Sequence, residues 1–323
     1  MKYYLAPMEG LTTYHFRTCW NRCYGGMDKY FTPFISNRRM NSRERGDVLP
    51  EHNAGMYTVP QILTNKAENF LSLAGQLAGY GYQEVNLNLG CPSGTVVARN
   101  RGAGFLGTPR ELEAFLDEIF EKCPLAISVK TRIGMSDLNE WSTLLQIYRK
   151  FPMKELIIHT RLQSEGYKGT PHLDAFAAAA NLLECPLCYN GDITSPETLT
   201  RILDKLPMID TVMIGRGILQ NPGLLQQLKS SEQSAMGTSA YSSPLSPAER
   251  LAVLKEFHNL LLCGYQEIMS GDTNTLYKMK DLWTFLSDSF ETPEKYVKRI
   301  RKAKDIGEYK LAVNALYKEC ILK

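Results

Sequence analysis

The feature that most constrains the fold of this chain is a regular alternation of short apolar segments with stretches of helical spacing. Eight segments rich in apolar, β-branched or aromatic residues have the pattern of strands: Tyr3–Ala6, Tyr30–Phe34, Tyr57–Ile62, Glu84–Leu89, Ala126–Lys130, Glu155–His159, Leu187–Asn190 and Thr211–Gly215. Helices between consecutive strands favour a parallel sheet with crossover connections. Eight such units in about 230 residues predict an α/β fold, a (β/α)8 barrel, with a doubly wound open sheet as the competing layout.

The end of the chain has a different organisation. The stretch 229–245 is rich in serine and aperiodic, as linkers are. Ser246-Pro247-Ala248-Glu249 then has the pattern of a helix cap, as does Thr108-Pro109-Arg110-Glu111 earlier in the chain. Apolar residues recur at helical spacing after the second cap, with no strand pattern. We therefore predict a barrel over 1–228, a linker over 229–245 and an all-helical domain over 246–323.

Composition excludes several classes of protein. With 37 basic and 34 acidic residues, the net charge of +3 is too small by itself to indicate a polyanionic partner. No apolar run approaches the roughly 18 residues that cross a bilayer. Pro7 interrupts the N-terminus too early for a secretory signal. The 8 cysteines are therefore expected to be reduced thiols, in a cytoplasmic protein without a membrane segment.

Polar groups follow most of the predicted strands, where a barrel gathers its functional side chains on one face. These strand-end groups are Pro7-Met8-Glu9-Gly10, Gln61, Asn86 to Pro92, Lys130-Thr131-Arg132, His159-Thr160-Arg161, Asn190-Gly191-Asp192 and Gly215-Arg216-Gly217. Their convergence on one rim favours a ligand site over the chance ending of strands in polar residues.

The residue types at these ends suit binding of an anion and a heterocycle. The glycines of Asn190-Gly191-Asp192 and Gly215-Arg216-Gly217 let backbone N–H groups approach a phosphate, and the arginine adds charge. Lys130 and His159 could stabilise negative charge on a ring such as a reduced flavin, and Gln61 offers it a donor and an acceptor. The alternatives are a glycine turn, a salt-bridged lysine and a capped histidine.

Cys91 lies between Gly90 and Pro92, in a loop that follows a buried strand. Free cysteines are most often buried and inert. A backbone held by proline and glycine suits a thiol presented to a ligand, and at a pKa of about 8.5 such a thiol is a proton donor at neutral pH. Nucleophilic catalysis would need a base beside it, and the sequence offers no partner for one.

Three other motifs favour ordinary structure. Gly102-Ala103-Gly104-Phe105-Leu106-Gly107 matches a dinucleotide-binding pattern, but no strand precedes it, so we expect a mobile loop over a site instead. Cys185-Pro186-Leu187-Cys188 lacks the second cysteine pair of a zinc site. Cys19 and Cys23 share one face of a predicted helix, so core packing is the better interpretation for all four cysteines, and no metal is predicted.

Basic residues form clusters despite the small net charge. One cluster is Lys295, Lys298, Arg299, Arg301, Lys302 and Lys304, a second is Arg38, Arg39, Arg43 and Arg45, and a third is Arg99 and Arg101. A charge run is usually a solvated face. Three of them beside a candidate site favour a phosphate backbone as partner.

The ordered strand-end motifs resemble those of the tRNA-dihydrouridine synthases. The matching segments, which span residues 1 to about 225 in family order, are Ala6 to Gly10, Asn88 to Pro92, Arg101 to Gly104, Val129 to Gly134, Ile158 to Arg161, Gln163 and Tyr167 to Gly169, Asn190 to Asp192 and Gly215 to Gly217. An ordered set of this kind is far more specific than any single motif.

The resemblance implies an FMN on the barrel rim, reduced by NADPH, and a uridine of tRNA as substrate. It implies that Cys91 is the general acid and that Asn88 holds the target uracil. The implied FMN-binding residues are Pro7, Met8, Glu9, Gln61, Lys130, His159, Asn190, Gly191, Asp192, Gly215 and Arg216. Two features depart from the family: Asn86 stands where an acidic residue is usual, and Met279-Lys280-Asp281-Leu282-Trp283 lacks the usual basic pattern.

Three functions are compared on this basis. A tRNA-dihydrouridine synthase, expected to be monomeric, accounts for the ordered motifs and the basic clusters. A flavoenzyme of dihydroorotate dehydrogenase type acting on a free pyrimidine shares the barrel, the FMN and a rim nucleophile, but leaves the helical domain unexplained. A non-catalytic RNA-binding barrel would bind no flavin.

Overall fold

The computed structural model describes residues 1–235 and 245–323. Within them, eight parallel strands close into a barrel in the order β1 to β8, and β8 pairs with β1. The strands are β1 (Lys2–Leu5), β2 (Lys29–Ile35), β3 (Thr58–Ile62), β4 (Glu84–Leu89), β5 (Ala126–Arg132), β6 (Glu155–His159), β7 (Leu187–Asn190) and β8 (Thr211–Ile214). The predicted (β/α)8 barrel is confirmed, and the doubly wound alternative is wrong because the sheet has no free edge.

Helices follow the strands as the alternation predicts. Those up to β8 are α1 (Tyr14–Cys23), α2 (Ser42–Val48), α3 (Ala67–Gly79), α4 (Gly94–Val97), α5 (Pro109–Lys122), α6 (Glu140–Tyr148), α7 (Leu173–Leu182) and α8 (Pro196–Lys205). After β8 come α9 (Arg216–Gln220), α10 (Leu224–Ala235), α11 (Pro247–Ile268), α12 (Asp272–Leu286), α13 (Glu294–Lys302) and α14 (Ile306–Glu319). Short 3-10 helices lie at Pro50–Asn53, Gly102–Gly107 and Ser287–Ser289. No helix in the described ranges is long and apolar enough to cross a membrane.

Apolar side chains from most of the strands pack together in the core of the barrel. An apolar cluster is formed by Tyr4, Ala6, Phe31, Val59, Ile157, Cys188 and Met213. Beside it, Nζ of Lys29 contacts Glu84 at 3.2 Å and Glu155 at 3.1 Å. These charges lie at the first residues of β2, β4 and β6, so they stabilise the end of the barrel opposite the strand ends that carry the candidate site.

The chain divides into two compact units. The first contains Met1–Glu9, Asp28–Asp192 and Thr200–Ile214, and the second contains Gly10–Met27, Ile193–Leu199 and Gly215–Lys323. The second unit therefore includes α1 as well as the predicted helical domain. Helix α10 covers 229–235, the first part of the predicted linker, while 236–244 of that linker lie outside the described residues.

The two helix caps behave differently. Ser246 forms the predicted capping box with Glu249, each side chain bonding to the other's backbone N–H. Helix α5 begins at Pro109 as expected, but the Thr108 side chain makes no cap bond. Its hydroxyl instead accepts a 3.0 Å hydrogen bond from the side-chain amide of Asn100. The predicted cap at Thr108 is thus wrong because a residue outside the motif occupies the hydroxyl.

Aromatic residues form the interior of the second unit. His258 accepts or donates a 2.7 Å hydrogen bond with the hydroxyl of Tyr309, which also accepts a 2.8 Å bond from the indole N–H of Trp283. Burial lowers the pKa of His258 to about 4, so this imidazole is neutral at physiological pH. Phe16 of α1 packs edge-to-face on Phe257 of α11 at 5.5 Å between ring centroids.

Candidate active site

A chain of hydrogen-bonded polar side chains, three of them amides, links β3, β4 and β5. Nε2 of Gln61 donates to Oδ1 of Asn86 at 2.8 Å, and Nδ2 of Asn86 donates to the Ser128 hydroxyl at 3.0 Å. On the other side, Nδ2 of Asn88 donates to Oε1 of Gln61 at 2.7 Å. These amides are buried, so each bond fixes which end of the amide faces its neighbour. Gln61 and Asn88, predicted separately, belong to one network.

The Cys91 loop is attached to this network. Oδ1 of Asn88 accepts hydrogen bonds from the backbone N–H groups of Gly90 at 3.0 Å and Cys91 at 2.9 Å. Three further bonds reach backbone carbonyls of the loop. Nε of Arg132 donates to Gly90 at 2.9 Å, and Nε2 of Gln163 donates to Pro92 at 3.2 Å. The third comes from the backbone N–H of Ala103, so the loop is held from several sides.

The 3-10 helix Gly102–Gly107 packs against the Cys91 loop. The backbone N–H of Ala103 donates to the carbonyl of Cys91 at 3.1 Å. Gly102 has φ +55°, and a Cβ there would lie 2.9 Å from the same carbonyl, so only glycine fits. Residues 102 to 106 are buried. The expectation of a mobile loop here is therefore wrong, because the segment is a packed support for Cys91.

The Cys91 thiol is partly exposed and remains a proton donor. Burial raises the pKa of this thiol above its ordinary value, and Glu9 acts in the same direction. A backbone N–H of Ser93 and the cations Arg132 and Lys130 oppose the rise without cancelling it. A protonated thiol at neutral pH suits a general acid and does not suit a resting nucleophile.

Lys130 and Arg132 lie two residues apart on β5. Lys130 is half-buried, and its Nζ makes no hydrogen bond or ion pair with any residue of the described ranges. Burial, with Arg132 beside it, lowers the pKa of Lys130 to about 8. Arg132 is instead fully buried and bonded to backbone, including the Leu162 carbonyl at 2.8 Å. The two cations therefore have different roles: Arg132 supports loops, and Lys130 lacks a counter-charge in the part of the chain that the structure describes.

His159, the last residue of β6, and Arg161, two residues beyond it, repeat this spacing. Nη1 of Arg161 lies 3.3 Å from Nε2 of His159, and because a guanidinium only donates, this nitrogen accepts and Nδ1 carries the proton. Arg161 is fully buried and forms an ion pair with Asp192 through both carboxylate oxygens. It also donates to the carbonyls of Lys168 at 3.0 Å and Gly169 at 2.7 Å. The Asp192 carboxylate thus faces a protein partner.

Asn190 and Gly191 continue from β7. Nδ2 of Asn190 donates to the carbonyl of Met213 at 2.8 Å, which ties β7 to β8. Gly191 is buried, and a Cβ added there would lie 2.8 Å from the hydroxyl of Tyr189. Glycine is therefore required at position 191 because the Tyr189 ring occupies the space of a side chain, and a role of this backbone in binding a phosphate stays a prediction.

The remaining predicted residues lie at the ends of β1 and β8. Pro7 and Met8 are half-buried after β1, and exposed Glu9 forms an ion pair with Arg43. Gly215 and Arg216 follow β8 and begin α9, and they belong to the second compact unit. Their part in binding a phosphate stays a prediction.

Known proteins resemble this chain in sequence and in fold. A model of the dihydrouridine synthase family matches residues 4–280. The chain belongs to the dihydrouridine synthase family. It is 33% identical over 229 residues to a "Probable tRNA-dihydrouridine synthase" of Staphylococcus aureus (strain COL), with 68% of each chain covered. It is 30% identical over 231 residues to "Probable tRNA-dihydrouridine synthase 2" of Bacillus subtilis (strain 168), covering 68% of this chain and 69% of that protein.

Among solved structures, the dihydrouridine synthase chain resembles morphinone reductase in fold. The TM-score is 0.50 at 12% identity, and the match covers 77% of this chain and 88% of the other. At this identity the likeness concerns the fold alone.

Membership of the dihydrouridine synthase family implies a flavin, and the strand ends fit one. The Lys130 amine lacks an anionic partner among the described residues, and Nδ1 of His159 carries a proton. Both suit the pyrimidine edge of a reduced flavin, which gathers negative charge. Gly191 is needed for close packing against the Tyr189 hydroxyl beside these groups. In the described ranges, no group of three or more His, Cys, Asp or Glu side chains could hold a metal ion.

Sequence reasoning assigned no role to Arg132, Arg161 or the amide of Asn86. A signal for the arginines was present, because side chains two residues apart on a strand share a face. Lys130 and Arg132, both on β5, therefore share a face of the strand. No signal in the sequence indicated which backbone carbonyls these arginines bind, because those carbonyls belong to other loops.

Proposed function

We propose that this chain is an FMN-dependent tRNA-dihydrouridine synthase that is reduced by NADPH. The observation that carries the proposal is the anchored, protonated thiol of Cys91 on the same barrel face as the Lys130 amine, which has no partner among the described residues, in a member of the dihydrouridine synthase family. A cytoplasmic location and a monomeric state remain predictions from the sequence.

The strand ends would bind the FMN. The proposed binding residues are Pro7, Met8, Glu9, Gln61, Lys130, His159, Asn190, Gly191, Asp192, Gly215 and Arg216. Lys130 would donate to the pyrimidine edge of the ring, where its charge is compensated. Asp192 would act by holding Arg161 and the loop backbone in place, because its carboxylate is paired. When bound, the reduced FMN supplies a hydride to C6 of uracil.

Cys91 would supply the proton that completes the reduction. The S–H bond breaks as a C–H bond forms at C5 of uracil, and the thiolate that remains regains a proton from solvent. Asn88 has one amide N–H left for the uracil edge, since its oxygen accepts from the loop and its other N–H donates to Gln61. Asn88 would thus hold the uracil ring next to Cys91, the general acid.

The substrate uridine must leave its stack to reach this rim, because the reacting atoms lie inside a folded RNA. Phosphate contacts then provide most of the affinity. Helix α13 presents Lys295, Lys298, Arg299, Arg301 and Lys302 as exposed side chains, and Lys304 follows it. None of these six side chains has an ion-pair partner among the residues described. We infer that this helix contacts the tRNA backbone.

The decisive experiment measures dihydrouridine position by position in tRNA from cells that lack the protein. Loss at one or more positions, restored by the wild-type chain and not by Cys91→Ala, is the expected result. Unchanged content at every position contradicts the proposal. Purified protein should be yellow and should oxidise NADPH with tRNA. Turnover of a free pyrimidine without tRNA would indicate the dihydroorotate dehydrogenase-like function, and failure to bind FMN would indicate a non-catalytic barrel.

A further inference from the structure

A second cationic surface lies on the first compact unit, outside the barrel mouth. It is a concave region of about 680 Å³ between the segment that follows β2 and the outer face of α3. We name it the arginine pocket, and the residues that define it are Arg38, Arg39, Arg45, Ser72, Gln76 and Tyr80. The flavin and uracil contacts proposed above use none of these side chains.

The charges of the arginine pocket are uncompensated. Arg38, Arg39 and Arg45 are exposed, and none of their guanidinium groups makes an ion pair or hydrogen bond within residues 1–235 and 245–323. No carboxylate is among the side chains that line the pocket. Arg43, from the same segment, differs because it is paired with Glu9. Three unpaired cations on one concave surface favour an anionic ligand.

The backbone that carries these arginines is held in place. Asn41 and Glu44 form a capping box at the start of α2, with both hydrogen bonds at 2.9 Å. Glu44 also accepts from the backbone N–H of Ser36 at 3.0 Å, and Met40 is buried. Nε2 of Gln76 on α3 donates to the carbonyl of Arg38 at 3.1 Å. The two walls of the pocket are thus joined before any ligand binds.

We propose that the arginine pocket binds backbone phosphates of the tRNA substrate, an inference that rests on the proposed function. Guanidinium groups bind phosphate oxygens in pairs, and three of them suit consecutive phosphates. Ser72, Gln76 and Tyr80 add hydroxyl and amide groups of the kind that bond ribose 2′-hydroxyls.

The placement of the pocket favours RNA over the phosphate of a dinucleotide. Arg38 follows the carboxyl end of β2, on the barrel face that carries the Cys91 loop, whereas Gln76 and Tyr80 lie where α3 has run back along the outside. A folded RNA is long enough to touch the mouth and this flank together. A small ligand needs walls that enclose most of its surface, and all three arginines are exposed.

The test compares the wild-type chain with the triple variant Arg38→Ala, Arg39→Ala, Arg45→Ala. The matched control is Lys122→Ala, Arg149→Ala, Lys150→Ala, which removes the same charge from exposed positions elsewhere on the unit. Binding of tRNA from cells lacking the protein is measured from about 50 to 200 mM salt, since each phosphate contact contributes a slope of roughly −0.7 to −0.9. NADPH-dependent flavin reduction without tRNA is measured in parallel.

We expect the pocket variant to bind tRNA at least about tenfold more weakly at low salt, with a slope reduced by about 2. The control variant should change much less, and flavin reduction should be unchanged in both. Equal tRNA affinity and slope in the pocket variant and the wild type would overturn the inference while leaving the proposed function intact. A raised KM for NADPH in the pocket variant, with normal tRNA binding, would also overturn the inference. Failure of the wild type to bind tRNA would overturn both.

Discussion

Asn88 and Cys91 are joined by a 2.9 Å hydrogen bond from the backbone N–H of Cys91 to the side-chain oxygen of Asn88. The same oxygen accepts from Gly90, and the amide nitrogen donates to Gln61. The position of the thiol therefore depends on the rotamer of Asn88. That rotamer in turn depends on the hydrogen bond to Gln61 of β3.

The first prediction concerns Asn88→Ala. This change leaves two loop N–H groups and a buried amide oxygen without partners, so the free energy of unfolding should fall by about 1–3 kcal/mol. Misplacement of the thiol should lower kcat by about 100-fold, with bound flavin retained. The measurements are chemical denaturation and single-turnover formation of dihydrouridine. Asn65→Ala, which removes only a bond to the Arg99 carbonyl, is the control and should leave both values near wild type.

A second prediction concerns the pH dependence of Cys91. The thiol donates a proton, so activity should be constant at neutral pH and fall as the pH rises through its pKa. Because burial raises this pKa, the fall should lie above the value of about 8.5 for an ordinary thiol. Alkylation of the flavin-free protein by iodoacetamide should increase over the same range. A midpoint below pH 8 in both measurements would contradict the assignment of Cys91 as the acid.

Lys130 supports a third prediction, about the stability of the flavin-free protein. The pKa of Lys130 is about 8 in the folded chain and higher when unfolded, so the unfolded state binds more protons between these values. Burial of the charged amine therefore lowers the free energy of unfolding by its full amount below pH 8. This loss becomes smaller as the pH rises above 8. Lys130→Met should raise the melting temperature at pH 7, and this gain should shrink toward pH 10.

The same Lys130→Met variant should lose flavin affinity, because it removes the cation proposed to face the ring. Exposed Lys154→Met is the matched control and should change neither property. A variant that binds flavin as well as the wild type would show that Lys130 does not serve the cofactor.

A fourth prediction concerns α13. Reversing Lys298 and Arg299 to glutamate should weaken tRNA binding by about tenfold or more at low salt, with a smaller effect at high salt. Flavin content should stay the same, because these side chains are exposed on the helical unit. Lys310→Glu with Lys318→Glu on α14 provides an equal charge change for comparison. An equal effect of the two pairs would mean that only net charge matters.

Much of the barrel was predictable because its strands are apolar runs bounded by polar residues. Glu84–Leu89, Glu155–His159 and Leu187–Asn190 agree with the structure to the residue. The supports of the site were not predictable, because their partners lie far apart in the chain: Arg132 bonds to Gly90 from 42 positions away. Likewise, the glycine-rich segment Gly102–Gly107 was predicted to be a mobile loop, because the sequence does not show that Gly102 packs against the Cys91 carbonyl.

Asn86, where the resemblance leads us to expect an acidic residue, is a related case. Asn86 still accepts from Gln61 through its oxygen, as a carboxylate would, so the departure keeps the acceptor and exchanges the other oxygen for a donor to Ser128. The hydrogen bonds show how Asn86 joins the network, which its residue type alone does not show.

The Gln163 side chain that holds the Pro92 carbonyl comes from 71 residues further along the chain. During synthesis, the sulfur of Cys91 therefore emerges long before the last of its anchors exists. A nascent or truncated chain that ends before β6 therefore contains Cys91 but lacks the Gln163 bond that helps to hold its loop.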